Sequence, residues 1–127
     1  MSPSYAEAAA VVAVKDLAKA KEFYEGKLGL SGGVDQDDGG IQYPVGNAKF
    51  HIYPSENAGG GATTVAFFRV EDVEGTVDEL SGNGVEFEKY DMGELKTNEK
   101  GIATLGDSKG AWFKDPDGNI IGLGDFE

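Results

Sequence analysis

Apolar positions along the chain switch between two periods, and the switches mark the elements. Residues 9–14, AAVVAV, are small and β-branched and predict a buried strand. Asp16 follows where a helix N-cap belongs, and Leu17, Ala20, Tyr24 and Leu28 then recur at spacings of three and four, which draws one apolar helix face. Gly29 stands where a C′ glycine would end that helix. The run 31–40 is polar and glycine-rich and predicts a loop. Its Asp35, Asp37 and Asp38 lack the ligand spacing and closing Glu of a calcium loop, so a solvated edge is expected. Residues 41–45 predict a short strand and Gly46-Asn47 a turn, and 48–53, AKFHIY, alternate as a second strand that Pro54 stops.

The pattern then repeats. Residues 64–70 predict a strand, Asp72 an N-cap, and Val73, Val77 and Leu80 a helix face ended by Asn83-Gly84. Residues 85–89 predict a strand, 91–101 a polar loop and 102–105 a weak strand. Residues 112–124 predict a β-hairpin turning at Asp115-Pro116-Asp117-Gly118-Asn119, five residues whose expected role is structural. Val14-Lys15-Asp16-Leu17 and Val70-Glu71-Asp72-Val73 occupy equivalent places. The organisation is therefore β-α-β-β-β twice in a single domain over 1–127, as a first module 7–56, a glycine-rich linker 57–62 and a second module 63–127. Neither half can bury a sheet face alone, so the halves must pair, within the chain or across a dimer.

Charge and composition narrow the partners. The chain carries 23 acidic against 11 basic residues, a formal net charge of −12, which disfavours nucleic acid and anionic membrane and suits a cationic partner or a solvated surface. The only arginine is Arg69. With no cysteine there is no disulfide, thiolate catalysis or Cys-ligated metal. No apolar run approaches the roughly 20 residues that span a bilayer, and the opening MSPSYAEAAAVVAV lacks a basic n-region, so a cytoplasmic location is expected.

Three segments carry a resemblance. Val14-Lys15-Asp16-Leu17 leads to Glu22-Phe23-Tyr24 and Leu28-Gly29-Leu30; Val70-Glu71-Asp72-Val73 opens the second half; and Phe113-Lys114-Asp115-Pro116-Asp117-Gly118-Asn119 closes it. Together they resemble the vicinal oxygen chelate superfamily of glyoxalases, bleomycin resistance proteins and extradiol dioxygenases. The resemblance implies an α+β fold of two βαβββ modules whose curved mixed sheets form a shared cup with helices outside, and often a homodimer. The family's enzymes hold a divalent metal in the cup on inward His or Glu residues from the first and last strands of each module. Here those positions fall at or near Ala9, His51, Val65 and Gly122. One candidate ligand from four positions leads us to expect no metal ion and no cofactor.

Strand alternation then gives the lining that this cup implies. Lys49, His51 and Tyr53 face in while Phe50 and Ile52 pack on a helix; Val11, Ala13, Val65, Phe67 and Arg69 face in; and Ile120, Gly122 and Gly124 face the cup while Ile121 and Leu123 face the core. The candidate ligand-binding residues are His51, Tyr53, Val65, Phe67, Arg69, Trp112 and Gly122. A mostly apolar lining suits an organic ligand. His51 is read either as a hydrogen-bonded sheet residue or as a ligand contact, and Trp112 either as core or dimer interface or as a stacking platform. The first functional reading is a metal-free small-molecule binder resembling bleomycin resistance proteins, with a cationic aromatic antibiotic as one form of ligand. The alternative is a lyase, isomerase or dioxygenase using His51 as base and Tyr53 as donor. A purely structural or regulatory role is the third reading.

Overall fold

The computed structural model describes residues 8–59, 61, 63–93 and 95–125. The expected start of the first module at residue 7, residues 60 and 62 of the expected linker, residue 94 of the expected polar loop and residues 126–127 lie outside the described residues.

Two four-stranded mixed sheets are built alike. In the first, β1 (Ala9–Val14) runs parallel to β4 (Ala48–Pro54), followed by β3 (Ile41–Val45) and the short β2 (Val34–Asp35), both antiparallel to their neighbours. In the second, β5 (Thr64–Arg69) runs parallel to β10 (Ile120–Gly124), followed by β9 (Ser108–Lys114) and β8 (Ile102–Leu105). A small hairpin of β6 (Asp91–Met92) and β7 (Leu95–Lys96) stands apart within the expected polar loop.

The two helix starts are near copies. Asp16 (φ −120°, ψ 104°) accepts the Lys19 N–H, and Asp72 (φ −121°, ψ 93°) accepts the Gly75 N–H. Each carboxylate satisfies a backbone donor that the first helical turn leaves open. Helix α2 (Val73–Gly82) ends at Asn83, with Gly84 at φ 97°. Helix α1 (Leu17–Lys21) is short and widens into a π-helical segment, Glu22–Lys27, closed by the Leu28 N–H on the Phe23 carbonyl and by Gly29 at φ 84°. The widening turns neighbouring Phe23 and Tyr24 both into the core, edge to face at 5.2 Å.

One core serves both halves. Val12, Val14, Tyr24, Phe50 and Ile52 pack in the same cluster as Val77, Phe113, Ile121 and Leu123. Phe50 stacks on Phe68 at 5.2 Å, and Phe23 meets Phe113 at 6.1 Å. The halves thus pair within the chain.

One expected strand is corrected. Residues 85–89 alternate in burial as a strand should, but among the described residues their ladder is limited to a bridge from Phe87 to Phe113 and the Glu88 N–H on the Trp112 carbonyl. β8 occupies most of that edge of β9, pairing from Leu105–Ser108 to Ile102–Ala111, and leaves only the end of the strand open.

Candidate functional site

Burial separates the two faces of each sheet. On β4, Phe50 and Ile52 are buried in the core while Lys49, His51 and Tyr53 on the opposite face are half-buried. On β1, Val12 and Val14 are buried and Val11 is 57% exposed. On β5, Val65 and Phe67 are each 46% exposed, and Arg69 lies on the same face. On β9, Ala111 and Phe113 are fully buried and Trp112 between them is half-buried. Val65 and Phe67 leave large apolar side chains open to solvent on a surface otherwise rich in acids.

Five of the seven candidates gather in two clusters. In the first sheet, Val11 and Gln42 flank His51 on the neighbouring strands, and the Tyr53 ring lies 6.3 Å from the imidazole. In the second sheet, Gly122 lies between Phe67 and Trp112 in the ladder. A Cβ on Gly122 would meet Phe67 Cδ1 and Trp112 Cδ1 and Nε1, each at 3.2 Å. The two rings therefore close over a bare backbone. Tyr90 continues this aromatic wall edge-on to Trp112 at 5.8 Å, with its backbone carbonyl held by the Thr97 N–H. Burial, with Glu88 second, pushes the Tyr90 phenol up, so it stays a neutral donor. Between the sheets a cavity of about 510 Å³ is lined by Ala9, Lys49, Phe67, Phe68 and Arg69. It takes in Phe67 and Arg69 of the seven; His51, Tyr53, Val65, Trp112 and Gly122 lie outside its lining.

Two residues escaped the reading of the sequence. Tyr90 falls in a stretch without periodicity, and nothing local marks it as Trp112's neighbour. Asp38 was read as solvated, yet its Oδ2 lies 2.8 Å from His51 Nε2 while its Oδ1 accepts the Gly40 N–H at 2.8 Å. The signal available was Asp38-Gly39-Gly40, an Asp followed by two glycines that let the loop fold back on its own carboxylate.

The Gly40 N–H, and after it His51, hold the Asp38 carboxyl below the usual carboxylate range. A carboxyl with a lowered folded value adds stability that is complete above its unfolded value of about 3.9 and fades as pH falls through the folded value. The stability gap between the wild-type protein and Asp38→Asn is expected to be level near neutrality and to shrink below about pH 4, measured by thermal unfolding at each pH. A gap that stays constant on acidification would show that the pair adds no pH-linked stability.

The residues present do not fit a divalent ion. In both ladders the residue beside the last-strand position is apolar, Val11 beside His51 and Phe67 beside Gly122, with Ala9 and Val65 two residues earlier on the same faces. Among the described residues no three His, Asp or Glu side chains converge as metal ligands. None of the helices described is long and apolar enough to cross a membrane.

The family model of the Glyoxalase/Bleomycin resistance protein/Dioxygenase superfamily matches residues 8–123. Comparison with curated protein sequences finds no match. Among solved structures the chain is similar to a Bacillus anthracis protein described as of the glyoxalase family (19% identity, 98% of this chain and 97% of that one, TM-score 0.75). It is similar to TnmS3, an antibiotic binding protein from Streptomyces sp. CB03234 (24% identity, 97% and 96%, TM-score 0.68). It is also similar to FosX, a genomically encoded fosfomycin resistance protein from Listeria monocytogenes (13% identity, 98% and 93%, TM-score 0.68). At these identities the likeness is one of fold.

Proposed function

Because the chain belongs to the Glyoxalase/Bleomycin resistance protein/Dioxygenase superfamily, a fold whose members share a scaffold and differ in chemistry, we propose that it binds a small organic molecule on the aromatic-walled face without a catalytic metal. The observation that carries this reading is the closure of Phe67 and Trp112 over Gly122, where the family's enzymes place an inward ligand. The two rings pack down on a bare backbone and present an aromatic platform on which a flat apolar group can stack, with Tyr90 beside it. The net charge of −12 favours a cationic ligand at long range. That a fold neighbour is an antibiotic binding protein makes sequestration of a cationic aromatic antibiotic the form to test first. Val11, Val65 and Phe67, exposed on the same faces, are the apolar side of the groove that a second copy would close over the ligand in a homodimer.

Trp112 is the only tryptophan, so its fluorescence reports the aromatic platform directly. Titration with bleomycin and with planar aromatic cations is expected to quench it and to raise the melting temperature, while a chelator leaves the melting temperature unchanged. Stoichiometric Fe, Mn, Ni or Zn in protein purified without chelator, lost together with stability on chelation, would overturn the metal-free reading.

The His51–Asp38 pair favours a second reading, a lyase or isomerase in which Asp38 orients His51 as a general base. It predicts turnover of a bound ligand that His51→Gln abolishes without weakening binding.

A further inference from the structure

We infer that the His51–Asp38 pair selects ligands by a hydrogen-bond donor: Asp38 positions the imidazole so that Nδ1 is the acceptor, and the site takes a planar aromatic molecule with an N–H or O–H on its edge. This rests on the reading of this face as an organic-ligand site and names which member of that class it prefers.

The tautomer follows from the geometry. Nε2 lies 2.8 Å from Asp38 Oδ2, and an ionised carboxylate only accepts, so Nε2 carries the proton. In that tautomer Nδ1 carries no proton. Asp38 is itself fixed. Its Oδ1 takes the Gly40 N–H at 2.8 Å, the Gly40 carbonyl accepts the Gln36 N–H at 2.9 Å, and the Gly39 N–H returns to the Gln36 carbonyl at 3.1 Å. The lowered carboxyl of Asp38 keeps it charged at neutral pH.

Nδ1 is left open. The bond to Asp38 is the hydrogen bond His51 makes among the described residues, and no buried side-chain nitrogen or oxygen lacks a partner, so Nδ1 still reaches solvent. Val11, 57% exposed, pairs with His51 on the adjoining strand, and the Tyr53 ring lies 6.3 Å from the imidazole. An aromatic ligand laid against Val11 and Tyr53 would keep solvent from Nδ1. A ligand with a donor supplies a hydrogen bond in its place; a ligand without one strands a desolvated acceptor, and the difference is the selectivity.

Indole and 1-methylindole differ in that one donor and serve as the probes. Equilibrium dialysis is expected to show wild-type protein binding indole about five-fold more tightly than 1-methylindole. His51→Phe should abolish the preference while keeping the affinity for 1-methylindole. Asp38→Asn, which replaces an acceptor with an amide that can donate to Nε2, should lower the preference to about one and move the His51 ring ¹⁵N signals toward the Nδ1-protonated form. Asp38 is an exposed loop residue, so Asp38→Asn is expected to fold, and the melting temperature of His51→Phe is measured beside its binding. Equal binding of both probes by wild type overturns the inference and leaves the binding function standing. A preference that survives Asp38→Asn overturns the positioning role of Asp38. Binding of neither probe overturns the inference, and the Trp112 titration then decides whether the ligand-binding reading falls with it.

Discussion

Asp115→Ala is expected to lose about 4 kcal/mol of folding stability, enough to bring a domain of this size close to unfolding. Asp115 is 5% exposed, and its carboxylate collects four donors: the Tyr24 hydroxyl at 2.8 Å, the Asn119 side-chain amide at 2.8 Å, and the Asp117 and Asn119 backbone N–H groups at 2.9 Å each. No ion pair to Asp115 occurs among the described residues, so hydrogen-bond dipoles alone replace its hydration. Removing the carboxylate strands the Tyr24 hydroxyl, whose side chain is fully buried and whose phenol burial already pushes well above its ordinary range. Each orphaned buried donor costs about 1–3 kcal/mol, and the backbone donors of the turn recover part of theirs from water. Tyr24→Phe removes one bond and one donor together and should cost only about 1 kcal/mol. Urea midpoints for the two single variants and the double variant measure the coupling. A loss below about 1 kcal/mol for Asp115→Ala would mean that water enters and replaces the carboxylate.

Gly40→Ala comes next in size, at about 3 kcal/mol, because the obstacle is backbone. A Cβ there would run into the Ile52 carbonyl oxygen and lie 2.9 Å from Tyr53 Cα, both on the strand that carries His51. The loop must lift off β4 and take Asp38 with it, so His51 loses its partner as the protein loses stability. Gly46→Ala in the β3–β4 turn is the control. It has φ 57° with no atom within 4 Å, so only the left-handed backbone penalty of about 1 kcal/mol applies. Equal melting temperatures for the two variants would show that the loop moves away freely.

What was legible in the chain was what local chemistry determines. Asp16 and Asp72 announce their helices because a cap needs only a backbone N–H three residues on, and the two starts came out nearly superposable in φ and ψ. Alternation sorted Phe50 and Ile52 from His51 and Tyr53, since side chains on a strand have no other choice of face. The turn at residues 115–119 was legible as a turn for the same reason. Its second role was not, because the Tyr24 that bonds Asp115 is 91 residues away and no periodicity links them. Asp38 and His51 are separated by a loop whose path depends on the close approach of Gly40 to β4. The strand expected over 85–89 failed on competition: its alternation is genuine, but β8 already holds most of the edge it would need. The candidate site was thus legible as a list of faces, while the pairs that give those faces chemistry had to be seen in three dimensions.

The turn that anchors Asp115 also makes the core depend on contacts far apart in the chain. The Lys15 N–H donates to Asp117, the Tyr24 hydroxyl to Asp115 and the Asn119 amide to the Ala13 carbonyl, spanning 102, 91 and 106 residues. Every one of these bonds ties the segment between the end of β1 and the π-helical turn to the hairpin of β9 and β10. Without the hairpin of β9 and β10 the first half lacks the acceptor for Tyr24 and the ring of Phe113 that packs on Phe23. Contacts so far apart in the chain slow folding, because a long loop must close before they form.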